Sequence, residues 1–477
     1  MIHPNLVGEE WIASSTASEN INPSDTSDVV GEFASADAAL VSRAVEAAKA
    51  GQKAWLALGI QARSEVLERI GNTLQERKDE LGTLLAREEG KILAEATGEV
   101  VRAAQIFKFF GGEVLRQHGE IVDSMRPNME VTVTRRPLGI VGLITPWNFP
   151  IAIPAWKIAP ALAWGNAVIL KPAELVPASA HALVSIMLEA GVPYGAINLV
   201  MGPGRVIGQA MVDHPDIAAI SFTGSVGTGR RVAQGAVARG AKVQMEMGGK
   251  NPLVVLDDAN LDIAVEHALN GAFYSTGQRC TASSRLVVTE GVHDAFVAAL
   301  TERAAALKVG PALDPASQIG PVVDEAQFEK DREYIAIAQD EGATLATGGN
   351  PVKCATKGWF LQPALLTETD NAMRINREEV FGPVASVIRV KDFEEALAVA
   401  NDTDFGLSSG IITTSLKHAA EYRRRAEAGM VMVNAPTAGT DYNVPFGGTK
   451  GSSYGPREQG SMAREFYTQV KTSYTAW

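Results

Sequence analysis

Reactive sulfur is scarce in this chain of 477 residues, which holds only two cysteines, Cys280 and Cys354. Two thiols cannot build a disulfide framework or a thiolate metal cluster, so no bound metal is expected and either cysteine is left free for chemistry. Positive charge is also short: 43 Lys and Arg face 55 Asp and Glu, a net charge of -12. With no Lys/Arg stripe to offset that field, polyphosphate backbones are repelled and nucleic acid is not an expected partner. Long apolar runs are missing as well. A membrane span needs roughly 18 to 20 uninterrupted apolar residues, and the apolar stretch Gly139–Leu170 is broken by Trp147-Asn148, Lys157 and several prolines. The opening run Met1–Trp11 places His3, Pro4, Glu9 and Glu10 where a signal peptide has basic, then apolar, then small residues. The expectation is a cytoplasmic protein with no membrane partner.

At 477 residues, of which 46% are apolar, the chain exceeds what one hydrophobic core usually covers, so two or three domains are expected. From Ser35 to about His118, apolar residues such as Leu67, Ile70, Leu74, Leu81, Leu84 and Leu85 recur at three-to-four spacing. That spacing predicts a layer of amphipathic helices. Met129-Glu-Val-Thr-Val-Thr-Arg135 alternates β-branched residues and reads as an exposed strand or arm able to pair with another chain. Short apolar runs follow at Ile140–Ile144, Ala167–Leu170, Ile197–Met201, Ala218–Phe222 and Lys242–Met245, separated by helices beginning near Ile153, Pro177, Arg205 and Ser225. This alternation predicts a parallel, doubly wound sheet. A second series, Pro252–Leu256, Arg285–Thr289, Val384–Val390, Ile411–Thr413 and Met430–Val433, predicts a second α/β unit, with a boundary near Gly248-Gly249. Thr344–Lys357 reads as a surface loop that makes Cys354 peripheral.

Cys280 lies in the small, polar run Ser275-Thr-Gly-Gln-Arg-Cys-Thr-Ala-Ser-Ser284, between a helix and a strand. A thiol is nucleophilic as its anion, and neighbouring Arg279 should favour that anion; the plain alternative is a small buried hydrophobe. Glu246-Met-Gly-Gly-Lys-Asn-Pro252 leaves a strand's carboxyl end, where open α/β sheets place their ligand crevice. There a carboxylate becomes a general base, unless it is a solvated loop residue among turn glycines. In Thr145-Pro-Trp-Asn-Phe-Pro150, prolines on both sides fix how Asn148 is presented, either as an oxyanion donor or merely within a capping turn. Two glycine-rich loops compete for phosphates. Gly202-Pro-Gly204-Arg-Val-Ile-Gly208 misses the dinucleotide fingerprint by one residue. Ser221-Phe-Thr-Gly224-Ser-Val-Gly227-Thr-Gly229 lies between a strand and a helix. Lys171-Pro-Ala-Glu174 ends another strand and either holds ribose hydroxyls or faces water.

Together and in this order, Pro146-Trp-Asn-Phe-Pro150, Lys171-Pro-Ala-Glu174, Phe222-Thr-Gly-Ser225, Glu246-Met-Gly-Gly-Lys250, Gly277-Gln-Arg-Cys280, Glu378-Glu-Val-Phe-Gly-Pro383 and Pro445-Phe-Gly-Gly-Thr-Lys450 resemble the aldehyde dehydrogenase superfamily over essentially the whole chain. The resemblance implies an α/β fold with a Rossmann-type NAD(P)-binding domain (1–118 and 139–248), an α/β catalytic domain (249–448), and a β oligomerisation arm and tail (119–138 and 449–477). It implies a homo-dimer or homo-tetramer, NAD or NADP as cofactor, and an aldehyde as substrate. Cys280 maps to the nucleophile, Asn148 to the oxyanion hole with the Cys280 backbone N–H, and Glu246 to the water-activating base. The cofactor residues it implies are Thr145, Pro146, Trp147, Lys171, Glu174, Gly204, Phe222, Gly224, Ser225, Gly248, Glu379 and Phe381. Relatives that transfer the acyl group to coenzyme A lack the glutamate, so Glu246 implies a free acid product.

Within the superfamily, Met245–Asp258, Gln278–Arg285 and Phe446–Gln459 look most like 2-oxoglutarate semialdehyde (2,5-dioxopentanoate) dehydrogenases. Arg279 either offers a bidentate fork to the distal carboxylate of such a substrate or points into the scaffold. Trp147, Trp156, Tyr274 and Phe446 are candidate pocket walls. The chain departs from the commoner pattern at Ser452-Ser-Tyr-Gly-Pro-Arg457, where many relatives read Ser-Gly-x-Gly-Arg. Glu174 favours NAD by repelling a 2′-phosphate, whereas Lys171 attracts one. The alternatives are succinate semialdehyde or a broad range of aldehydes and, more distantly, a cysteine hydrolase, although none of the seven histidines stands in a motif beside the cysteine.

Overall fold

The computed structural model describes residues 2–116 and 119–477. The domain limit expected at His118 therefore lies outside the described residues. The amphipathic spacing before it forms four helices, α1 (Ala38–Ala57), α2 (Gly59–Glu76), α3 (Lys78–Glu89) and α4 (Leu93–Val114). Helix α1 starts where the Asp37 carboxylate accepts from the Leu40 N–H, and its face of Leu40, Val41, Ala44, Val45, Ala48 and Trp55 is buried. Helix α3 ends on Gly90 at φ 98°, a left-handed position that suits glycine. Leu67, Ile70, Leu74, Leu81 and Leu85 are fully or almost fully buried, each contributing about 1.5–3 kcal/mol relative to exposure.

The first sheet has eight strands in the order Ser453–Tyr454, Lys242–Glu246, Ile217–Thr223, Ile140–Ile144, Ala167–Lys171, Ile197–Leu199, Asn5–Val7, Glu10–Ile12. The five central strands run parallel, and the flanking ones antiparallel. From Ile140–Ile144 the chain winds first to one side and then, through Ile217–Thr223, to the other. The carboxyl ends of these two neighbours thus bound the crevice where such sheets bind ligands. The helix expected near Arg205 is a π-helical turn, Gly204–Gly208, running into the short helix Gln209–Asp213.

The second sheet has the order Thr344–Thr347, Ala364–Thr369, Val384–Val390, Ser283–Thr289, Asn251–Val255, Ser408–Ile412, Met430–Val433, parallel except at its first pair. Its first strand corrects the reading of Thr344–Lys357 as a loop throughout: four residues add to an open edge before Gly348 and Gly349 turn the chain at φ 76°. The chain passes from one sheet to the other between Glu246 and Asn251. A third sheet pairs Thr468–Ala476 with Met129–Pro137 and Glu120–Asp123, all antiparallel. It leaves Ile121, Val122, Met125, Val470, Tyr474 and Trp477 exposed. Among the described residues, no helix is long and apolar enough to cross a membrane.

Candidate active site

Cys280 follows a tight backbone knot. Ser275 and Thr276 adopt left-handed angles (φ 52° and 56°) and Gly277 follows at φ 65°. Such angles cost a non-glycine residue roughly 1–2 kcal/mol, and a strained segment of this kind is typical of functional loops. Only glycine fits at 277, since a Cβ there would stand 2.1 Å from the Gly382 carbonyl oxygen. Asn251 holds the loop from the second sheet, its Nδ2 donating to the carbonyls of Cys280 (2.8 Å) and Ala282 (2.9 Å).

Burial, with the charges of Glu379 and Glu246 next in weight, pushes the Cys280 thiol up to about 12. The charge of Arg279 does interact favourably with Cys280, while its side chain is held by the scaffold. Its Nη2 donates to Ser275 Oγ at 2.9 Å and to Glu95 Oε1 at 3.3 Å. The backbone N–H of Cys280 itself also favours its anion.

Asn148 lies beside the same loop, its Nδ2 donating to the Gln278 carbonyl at 2.9 Å. Its own carbonyl accepts from Lys91 Nζ at 2.7 Å. Lys91 is paired at 2.7 Å with Glu99, whose other oxygen accepts from the N–H groups of Ile151 and Ala152. These amides open helix α5 (Ala152–Ala163), so one buried ion pair fixes the 145–151 turn, and with it the Asn148 amide.

Glu246 ends its strand 3% exposed. Burial, and after it the charge of Glu458, holds its carboxyl well above the usual range, while Ser453, Lys157 and Arg457 act in the opposite direction. Ser453 Oγ donates to Glu246 Oε2 at 2.6 Å and accepts from the Gly448 N–H at 2.7 Å. Lys157 is paired with Glu458, both buried, and donates to Ser221 Oγ at 2.7 Å. A Cβ at Gly447 would approach Glu246 Oε1 to 2.8 Å, so glycine leaves this carboxylate its space.

Cys280, Arg279, Phe149, Trp156 and Phe446 line a cavity of about 520 Å³ that also reaches α4. The Trp156 and Phe446 rings lie 5.5 Å apart. Of the four aromatic walls expected, Trp156 and Phe446 are found there. Trp147 instead meets the Phe381 ring edge-on at 5.4 Å, and Tyr274 packs against the core of the second sheet.

The remaining residues surround the crevice of the first sheet. Ser225 caps the helix Val226–Ala238 without using its side chain on the backbone, which leaves first-turn amides for an anion. Glu174 Oε1 accepts from the Gly204 N–H at 2.8 Å, and Lys171 Nζ, its pKa lowered by burial, donates to the Pro172 carbonyl. Thr145 Oγ1 is buried with no hydrogen-bond partner. Phe222 and Gly224 lie beneath the same turn, and Pro146 follows Thr145. Glu379 Oε1 accepts from the Gly249 N–H at 2.8 Å, and a Cβ at Gly248 would stand 2.1 Å from Glu379 Oε2. Phe381 holds φ 69° beside it. Helix N-terminal amides, the Lys171 ammonium, the orphaned Thr145 hydroxyl and closely approached glycines fit a dinucleotide.

Lys91, Glu99, Asn251, Lys157, Ser453 and Glu458 are the supports that motif reading missed. A lone lysine in the otherwise apolar helix α5 was the available signal for Lys157, because a buried ammonium requires a buried partner.

A sequence model of the aldehyde dehydrogenase family matches residues 11–473. An alpha-ketoglutarate semialdehyde dehydrogenase of Haloferax volcanii is 44% identical over 478 residues, spanning 99% of each chain. An alpha-ketoglutaric semialdehyde dehydrogenase of Bacillus subtilis is 40% identical over 474 residues, spanning 98% of this chain and 97% of the relative. A crystal structure of betaine aldehyde dehydrogenase from Staphylococcus aureus in complex with NAD+ is similar at a TM-score of 0.96 and 32% identity, covering 99% of this chain and 95% of that one.

Proposed function

Because the chain belongs to the aldehyde dehydrogenase family, we propose that it oxidises 2-oxoglutarate semialdehyde to 2-oxoglutarate with NAD or NADP, through a thioester on Cys280. The observation that carries this reading is the convergence of Cys280, Asn148 and Glu246 from two sheets, together with relatives named for that substrate. Residues 1–118 and 139–248 form the cofactor unit, 249–448 the catalytic unit, and 119–138 with 449–477 the arm and tail. The exposed apolar residues of the third sheet support a homo-dimer or homo-tetramer built through that arm. Unpaired Cys280 and Cys354 suit the reducing cytoplasm.

In this reading the Cys280 thiolate adds to the aldehyde carbon, and the oxygen of the resulting thiohemiacetal takes up the charge. The Asn148 amide and the Cys280 N–H stabilise that oxygen, each such donor being worth about 3 kcal/mol. When bound, a nicotinamide cofactor supplies the hydride acceptor that oxidises this carbon and leaves a thioester. Glu246, whose carboxyl is held above its ordinary range by burial, takes a proton from the water that adds to the thioester, and the Cys280 thiol departs with the free acid formed. Thr145, Ser225, Lys171, Glu174, Glu379 and Phe381 hold the cofactor. A cysteine hydrolase is disfavoured because no histidine lines the Cys280 cavity among the described residues.

The test compares kcat/KM for 2-oxoglutarate semialdehyde, succinate semialdehyde and an uncharged aliphatic aldehyde, each with NAD and with NADP, by the absorbance of the reduced cofactor. Preference for the oxo-acid supports the reading. If succinate semialdehyde wins, the substrate changes; if the uncharged aldehyde wins, the carboxylate-bearing class is wrong.

The Ser453 hydroxyl provides a second check. Its hydrogen bond favours the ionised form of Glu246, so Ser453→Ala removes a group that holds the pKa down. Protonated Glu246 is inactive as a base. The acid limb of the kcat profile is therefore expected to move to higher pH, and an unmoved limb would separate Glu246 from that limb.

A further inference from the structure

The Cys280 cavity contains two guanidinium groups, and they are not equivalent. Arg279 is committed. Its Nη2 donates to Glu95 and Ser275, and its Nη1 to Asn270 Oδ1 at 3.4 Å. Glu95 Oε1 in turn accepts from the Ser275 N–H at 2.8 Å, which ties this pair to the knot before Cys280. The other carboxylate on the wall, Glu99, is engaged by Lys91 and two helix amides. Arg102 differs: it lines the same cavity half-buried, its guanidinium 5.9 Å over the Tyr442 ring, and among the described residues it has no hydrogen bond or ion pair. Asp441 is the acidic group whose charge reaches it.

The surroundings of Arg102 are those of a receptor. Gly98, Arg102 and Gln105 stand four and three residues apart along α4, form one stripe of the helix, and all line the cavity. Gly98 has nothing within 4 Å of where its Cβ would be, which leaves open space beside the guanidinium. The apolar rings of Phe149, Trp156 and Phe446 line the same cavity, and at half-buried Arg102 an ion pair is screened less than at an open surface. A planar fork with free N–H donors fits a carboxylate with two parallel hydrogen bonds.

We propose that Arg102 is the specificity residue that binds the terminal carboxylate of a short semialdehyde acid, while Arg279 is a positioning residue for the cysteine loop. This rests on the carboxylate-bearing substrate class proposed above. Hydrogen bonds from Arg279 to Glu95, Ser275 and Asn270 favour the scaffold reading of that residue.

The test measures the ratio of kcat/KM for 2-oxoglutarate semialdehyde to that for an uncharged aliphatic aldehyde of similar length. It uses the wild type, Arg102→Met, Arg102→Lys and Arg279→Met, with glutarate as a dead-end inhibitor. Arg102→Met is expected to lower the ratio about 10- to 100-fold, the size of a charge-assisted pair, mainly through KM, and to weaken glutarate inhibition by a similar factor. Arg102→Lys should restore part of both. Arg279→Met should reduce kcat for both aldehydes together and leave the ratio in place. An unchanged ratio in Arg102→Met, or a selective loss confined to Arg279→Met, overturns the assignment while the wild-type preference stands. A wild type that shows no preference overturns the substrate class itself, and the assignment with it.

Discussion

Cys280→Ser is expected to abolish aldehyde oxidation, with kcat/KM falling on the order of 10⁴-fold or more, as when a nucleophile is removed from a cooperating set. The thiol already sits in a place that opposes ionisation, being pushed up to about 12 by burial and by the charges of Glu379 and Glu246. Sulfur tolerates this because the thiolate is intrinsically nucleophilic and its reaction product, a thioester, is reactive toward water. A serine hydroxyl in the same place is a weaker acid, and no histidine lines the cavity among the described residues to activate it. The fold should not register the change. Asn251 holds the loop through the Cys280 carbonyl rather than its side chain, and Gly277 and the left-handed pair before it remain. Turnover is to be followed by reduced cofactor, with thermal melting and cofactor binding measured in parallel. A serine variant with an unaltered melting curve that still oxidises aldehydes near the wild-type rate would place the covalent step elsewhere.

Several strands were legible to the residue. Ile140–Ile144, Val384–Val390 and Met430–Val433 have the expected limits in the structure. For Ile140–Ile144 the reason is physical: a parallel strand covered on both faces is apolar throughout, and all five of its residues are buried. The edges were less legible. Asn5–Val7 and Glu10–Ile12 extend the first sheet as three-residue pieces that include Asn5, Glu10 and half-exposed Trp11, too short and mixed for any period to show. Candidate residues with a dedicated motif could be named in advance. Their supports could not, because the partners are remote: Lys157 meets Glu458 across 301 positions, and Lys91 reaches the Asn148 carbonyl across 57. Arg279 shows the limit at a single residue. Adjacency to Cys280 suggested a charge that acts on the sulfur, and that charge does reach it, but the hydrogen bond and ion pair that hold the side chain go to Ser275 and to Glu95, 184 positions away, which adjacency does not reveal.

Glu246→Gln is expected to separate the two halves of the reaction. Glutamine keeps the size of the side chain and can still meet Ser453, so the pocket left by Gly447 and Ser453 should survive. What it loses is the capacity to take a proton. Thioester formation should then give a rapid burst of about one equivalent of reduced cofactor per subunit, followed by steady turnover slower by roughly 10²- to 10⁴-fold, the usual worth of a positioned base. Hydroxylamine, a nucleophile that needs less help than water, should restore part of the steady rate by discharging the acyl group. Removing the Glu246 charge also deletes one of the carboxylates that raise the Cys280 thiol. The burst should for that reason persist to lower pH than the first turnover of the wild type. A variant with normal steady turnover would remove Glu246 from the hydrolytic step. A variant with no burst at all would move its role forward, to the ionisation of Cys280, where the buried pair of Lys157 and Glu458 beside it would become the next groups to test.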